Sequence, residues 1–282
     1  MISIGMVLEQ ATTQLKPFNS SARMDAEILL CHLLVKNRAY LYAHPEAELD
    51  QTQYDQYMQQ ITERSQNKPI AYLTGEREFW SLSLKVTPDT LIPRHETEKL
   101  IELTLELMQH KSQVNLLDLG TGSGAISLAL ACEKPHWQID ACDLSEEALI
   151  VAKENAQQLG ITNVTFYHSN WYQSLPKKKY DVIVSNPPYI AENDPHLKQG
   201  DVSFEPLSAL VSGQDGLADL QYIITHSYEY LLPNGLLLVE HGYDQKFPIN
   251  AILNQLGYTN ISCWQDIQGQ DRISGGCRPD II

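Results

Sequence analysis

Positive charge is scarce in this sequence. It carries 20 Lys and Arg against 35 Asp and Glu, for a formal net charge of −15. That is the wrong sign for a protein drawing most of its affinity from phosphates, so no direct nucleic-acid partner is expected. The only basic cluster, Lys177 to Lys179, precedes an apolar run and reads as a solvated turn. Cysteine is sparse and scattered: Cys31, Cys132, Cys142, Cys263 and Cys277 show no C-x-x-C spacing. This argues against a disulfide framework and for reduced, mostly buried thiols. The nine histidines are equally dispersed, with no H-x-x-x-H pair and no His/Cys cluster, so no metal is expected. No apolar run approaches membrane-spanning length, and MISIGMVLEQ has no basic region before an apolar core. Neither a membrane nor a cleaved signal is expected, and the expected compartment is the cytoplasm.

What remains is an ordinary globular composition, 43% hydrophobic and 20% charged over 282 residues. Such a length accommodates two domains, one with a full α/β core. Residues 1–72 read as a helical substrate-docking domain. Ile4, Val7, Leu8, Ala11 and Leu15 follow helical spacing up to a break at Pro17-Phe18-Asn19-Ser20. Ala26, Leu29, Leu30, Leu33 and Leu34 make the next apolar face, with Ser20 or Ser21 as its N-cap. Asp50 is placed to cap a helix carrying Tyr54, Tyr57, Met58 and Ile61. Residues 73–92 read as a β-hairpin linker, because Trp80, Leu82, Leu84 and Val86 alternate with polar positions between Gly75 and Pro88.

Residues 93–282 alternate strands and helices, which predicts a doubly wound, mostly parallel α/β sheet. The strands fall at Val114–Leu119, Ile139–Cys142, Val164–Tyr167, Asp181–Val184 and Leu236–Glu240, and a closing hairpin spans Tyr258–Trp264 and Arg272–Arg278. After the first strand comes Gly120-Thr121-Gly122-Ser123-Gly124, whose glycines let backbone approach a ligand at a helix start. Asp143 ends the second strand, 23 residues after Gly120, where a carboxylate can accept ribose hydroxyls. Loop and acid together point to a nucleoside-containing cofactor, either NAD or S-adenosylmethionine.

The fourth strand runs into Ser185-Asn186-Pro187-Pro188-Tyr189. Prolines 187 and 188 have no N–H, so this backbone offers acceptors and almost no donors beside an aromatic ring. A dehydrogenase needs a proton relay there, and none is supplied. A methyltransferase acting on nitrogen needs acceptors for the hydrogens of a planar NH2, which this stretch provides. An exocyclic amine of a DNA or RNA base is the alternative acceptor, since a flipped adenine presents the same group; the acidic charge stands against it. Residues 190–216 then form a connection long enough for a lid or substrate loop.

LLDLGTGSGAISLAL, Asp143, and SNPPY followed by FEPLSAL resemble the class I S-adenosylmethionine-dependent methyltransferases of the PrmC/HemK family. KPIAYLTGEREFW, LIPRHETE, LLLVEHG and DIQGQDRISGGCR extend the resemblance outside the shared core, in the same order. His95 stands where the family commonly has proline. The resemblance implies a Rossmann-like, seven-stranded sheet, a helical N-terminal domain that grips the substrate, and a monomer. It implies methylation of the glutamine side-chain amide in the GGQ motif of peptide chain release factors, with S-adenosyl-L-homocysteine as the other product. By the same carry-over, Gly120, Thr121, Gly122, Ser123 and Gly124 would surround the methionine part of the cofactor. Asp143 would hold the ribose, Trp171 would flank the adenine, and Asn186 would lie against the cofactor. Asn186, Pro187, Pro188 and Tyr189 would bind substrate, with Asn186, Pro187 and Tyr189 catalytic.

Overall fold

The computed structural model describes residues 2–18 and 20–280, so Asn19 in the expected helix break lies outside the described residues. The chain divides into two compact units: Met1–Glu76 with Lys198–Phe204, and Arg77–Leu197 with Glu205–Ile282.

The first unit is helical. Helix α1 (Ile4–Leu15) begins at Ser3, whose hydroxyl oxygen accepts from the Met6 N–H at 3.4 Å. Helix α2 (Ala22–Leu34) starts after Ser21, which occupies the cap position without capping; its hydroxyl donates to Asp25 instead, at 3.1 Å. After α3 (Arg38–Ala43), Asp50 opens α4 (Gln51–Ser65) with a reciprocal capping box to Gln53. Helix α5 (Ile70–Thr74) ends at Gly75 in the left-handed region. Val7, Leu8, Leu29, Leu30, Tyr57 and Ile61 fill the core, and the buried Tyr57 hydroxyl donates to the Ala26 carbonyl at 2.8 Å. Arg64 pairs with Asp25 at 2.7 Å and with Asp201 at 3.0 Å. That second pair explains why a piece of the long 190–216 connection belongs to this unit.

The second unit opens inside a hairpin of Glu76–Phe79 and Leu82–Lys85, whose first residue still belongs to the first unit. The alternation read from Trp80 starts two residues later, because Trp80 and Ser81 both adopt positive φ and make the turn. Helix α6 (Glu98–Leu107) follows, and then the sheet. Its strands are β1 (Asn115–Leu119), β2 (Gln138–Asp143), β3 (Val164–His168), β4 (Tyr180–Ser185), β5 (Leu231–Glu240), β6 (Thr259–Gln265) and β7 (Asp271–Cys277). Their order is β6-β7-β5-β4-β1-β2-β3. The first five strands pair in parallel, and β7 inserts antiparallel between β5 and β6. Alternate residues feed opposite faces: Leu116, Val182 and Leu238 join one buried cluster with α7 (Ala125–Glu133), while Leu117, Ile183 and Val239 join the other with α8 (Ala218–Tyr230).

The sheet order reverses between β1 and β4. Leu119 lies opposite both Ser185 and Cys142, so the segments carrying Gly120, Asn186 and Asp143 leave the sheet side by side. This is the crevice where open α/β sheets bind ligands.

Two features of these strands are open to test. In β7, a Cβ on Gly275 would lie 2.6 Å from Leu238 Cδ2 and against the Leu237 backbone. Gly275→Ala is expected to cost about 1–3 kcal/mol by overpacking, read as a lower denaturation midpoint; an unchanged midpoint refutes it. In β1, the fully buried Asp118 accepts from the Thr121 hydroxyl at 2.6 Å, and burial pushes its carboxyl up to about 6. The folded state therefore holds that proton at pH values where the unfolded chain has lost it. Stability should fall as pH rises from about 4 to about 6, by about 3 kcal/mol from this group. Asp118→Asn should flatten that slope in denaturation curves across the range, and a wild-type slope in the variant would exclude Asp118 as its source.

Candidate active site

At the reversal point, a cavity of about 420 Å³ is lined by the Gly loop, the end of β2, the start of SNPPY and the FEPLSAL stretch. The size lies in the range of small-molecule sites. Gly120 and Gly122 both take positive φ, and both line the cavity. A Cβ on Gly120 would approach the Trp171 ring to 3.2 Å, so this glycine also makes room. Thr121, Ser123 and Gly124 of the same loop do not line the cavity. Thr121 bonds Asp118, the Ser123 carbonyl accepts from Asn155 at 2.9 Å, and Gly124 caps α7.

Asp143 lines the cavity and is raised by burial, an effect opposed by backbone N–H groups at its oxygens. Gly122 N–H donates to Oδ2 at 2.8 Å and Ser145 N–H to Oδ1 at 2.9 Å. The carboxylate therefore braces the Gly loop as well as facing the cavity. A carboxylate has about four lone-pair directions, and the Leu144 N–H also approaches, so about one remains for a ligand. Trp171 forms one wall, with its indole N–H donating to Asp219 at 3.1 Å. Leu91, Leu144, Ala148 and Ala209 supply apolar surface.

Asn186 and Pro188 also line the cavity, whereas Pro187 and Tyr189 do not. The Asn186 NH2 donates to the Thr97 hydroxyl at 3.1 Å, and its Oδ1 is buried with no hydrogen-bond partner among the described residues. An unsatisfied buried carbonyl oxygen costs about 1–3 kcal/mol. The Tyr189 hydroxyl donates to Glu240 at 3.4 Å, and burial next to that acid raises its pKa. The Tyr189 carbonyl accepts from Gln245 at 3.0 Å, and Gly216, at φ +75°, packs directly under it.

The long connection returns to this place. The Ile190 N–H donates to the Leu210 carbonyl and the Ser212 N–H to the Ile190 carbonyl, each at 2.9 Å. Glu205, buried, accepts from Arg94 and from the Ile92 N–H, which ties FEPLSAL to LIPRHETE. Thr97, Asp118, Glu205, Asp219 and Glu240 carry no motif of their own in the sequence. Four of them sit in or beside stretches quoted for the resemblance, and that proximity was the available signal; Asp219 had none.

Residues 95–201 match the methyltransferase small domain family, and residues 6–75 match the PrmC N-terminal domain. The chain is 49% identical to the release factor glutamine methyltransferase of Vibrio cholerae, over 98% of this chain and 96% of that one. It is 44% identical to the Escherichia coli enzyme of that name, over 95% and 96%. Among solved structures, the hMettl16 catalytic domain aligns with a TM-score of 0.59 at 17% identity, covering 83% of this chain and 84% of that one. A methyltransferase from Pyrococcus furiosus aligns with a TM-score of 0.52 at 17% identity, covering 79% and 98%. Those two likenesses concern the fold. With its glycine loop, its carboxylate and its NPPY segment meeting at one crevice, the chain belongs to the release factor glutamine methyltransferase family.

Proposed function

We propose that this protein transfers a methyl group from S-adenosylmethionine to the side-chain amide nitrogen of the GGQ glutamine in peptide chain release factors. The observation that carries the site assignment is Asn186: its amide is anchored at one end and its buried oxygen is unsatisfied at the other.

The cavity suits the cofactor on its donor set. Gly120 and Gly122 leave open backbone for the amino-acid part, Asp143 has a lone pair for a ribose hydroxyl, and Trp171 with Leu144 offers flat apolar walls for adenine. When bound, S-adenosylmethionine supplies a methyl group made electrophilic by its positively charged sulfur. The chain's own residues must deal with the nucleophile, an amide nitrogen whose lone pair is tied up in resonance. Asn186 Oδ1 accepts one amide hydrogen and the Pro187 carbonyl the other, which fixes the nitrogen's orientation. The same acceptors stabilise positive charge growing on that nitrogen, as an oxyanion hole does for the opposite sign. Pro188 carries no N–H to compete for them, and Tyr189 packs beside the amide plane. No strong base is required, because the proton can leave to water. The helical unit serves substrate docking, and the working form is a monomer in the cytoplasm.

Incubation with methyl-labelled cofactor and a purified release factor, followed by mapping of the label, tests the reading. Label should appear on the GGQ glutamine and vanish when that glutamine is changed to alanine. Asn186→Ala should lower kcat on the order of 10²–10³, the scale of losing one such oriented group, with KM little changed. Label on a nucleic-acid base would overturn the substrate assignment, and a wild-type rate in the variant would overturn the acceptor role.

A further inference from the structure

Trp171 stands at φ +50°, in the left-handed region that bulky side chains rarely adopt. Such backbone persists only where its surroundings hold it, and it gathers at functional sites. Here the holding contacts are specific. The Ser169 hydroxyl donates to the Trp171 carbonyl at 2.7 Å and accepts from the Ser174 N–H at 2.9 Å, which fixes the turn. The benzene edge of the indole lies over Gly120, where an added Cβ would come within 3.2 Å of Cζ3. The ring has one polar atom, a donor only, and that N–H points to Asp219 Oδ1 at 3.1 Å.

Asp219 comes from a distant segment, 48 residues on, in the first turn of α8. Its own N–H donates to the Ser212 hydroxyl at 2.7 Å, and the Ser212 N–H donates to the carbonyl of Ile190, the residue after Tyr189. We infer that Asp219 is a positioning residue that locks the tilt of the Trp171 indole, so that the wall for adenine stands in place before the cofactor arrives. This rests on the proposed role of Trp171 as that wall.

Backbone contacts place the ring, but they do not stop it turning about its Cβ–Cγ bond. A hydrogen bond at the N–H end and Gly120 under the opposite edge hold it at two separated points, which fixes the plane. An aromatic side chain left to turn would have to be ordered when the base binds, and that ordering subtracts from affinity. With Asp219 the ordering is completed on folding. Asp219 and Trp171 both line the cavity, and so do Pro206, Ser208 and Ala209 from the returning end of the long connection. Ser212 ties that return to the NPPY segment through Ile190, and to the adenine wall through Asp219.

Calorimetry on the full chain with S-adenosyl-L-homocysteine tests this without turnover. Asp219→Ala removes the acceptor and should weaken binding on the order of five- to tenfold, the scale of ordering one side chain on binding. Asp219→Asn keeps an acceptor and should stay within about twofold of the wild type. Trp171→Phe keeps an aromatic wall without the N–H. In that background Asp219→Ala should add less than about twofold, because the bond it removes is already gone. In turnover, Asp219→Ala should raise KM for the cofactor by a similar factor, with KM for the release factor within about twofold. A second readout needs no ligand. By NMR the Trp171 indole N–H, identified by its loss in Trp171→Phe, should exchange slowly in the wild type and in Asp219→Asn, and fast in Asp219→Ala. Wild-type affinity in Asp219→Ala, an asparagine variant as weak as the alanine variant, additive losses in the double variant, or equal exchange rates would overturn the inference. Failure of the wild type to bind S-adenosyl-L-homocysteine would instead sink the proposed cofactor site, and the exchange rates would still decide whether Asp219 holds the ring.

Discussion

The parallel pairing of β1 with β4 is the constraint on which the site depends. Leu119 sits opposite Ser185, and the Ser185 hydroxyl donates to the Leu119 carbonyl at 2.7 Å, so the two strands end level. The Gly loop and the Asn186–Tyr189 segment are 66 residues apart at these ends, yet they leave the sheet as neighbours. Asp143 follows from β2, paired on the other side of β1. A slip of one residue would exchange the faces of a strand, sending Leu117 and Ile183 to the wrong cluster. Core packing thereby holds the register, and the register holds the site.

Around that crevice the fold keeps polar atoms that it could have satisfied or replaced. Asn186 Oδ1, Asp118 Oδ1 and Glu240 Oε2 are all buried without a partner among the described residues. Each such atom is a local cost of about 1–3 kcal/mol, and burial raises both acids above their ordinary range. The cost is offset elsewhere, by two apolar clusters that cover both faces of the sheet. The braces are themselves shared. Asp143 holds Gly122 and Ser145 while facing the cavity, and Glu205 joins two loops by bonding Arg94 and the Ile92 backbone.

Much of this is legible in the sequence. The strands of the sheet show as short apolar runs, and the helices as 3.6-residue periods with a readable cap at Asp50. Gly120, Gly122, Asp143, Trp171 and Asn186 were singled out from local chemistry or from resemblance, and all five line one cavity. The hairpin turn at Trp80-Ser81 was not legible, because neither residue advertises the left-handed backbone that both adopt. Nor was the cap of α2, where Ser21 turns to Asp25 rather than to a backbone N–H.

By itself, then, the sequence determined the alternation of strands and helices, the tight glycine turn, the donor-poor backbone at Pro187 and Pro188, and the family. Those are properties of neighbours along the chain, set by steric limits on φ and by apolar period. Tertiary structure alone decided that the Asn186 NH2 meets Thr97, that Asp143 braces the loop, and that the Tyr189 hydroxyl meets Glu240. Hydrogen-bond direction depends on which donors and acceptors meet in space, and Asn186 with Thr97, and Tyr189 with Glu240, are far apart in sequence and meet only in the folded chain.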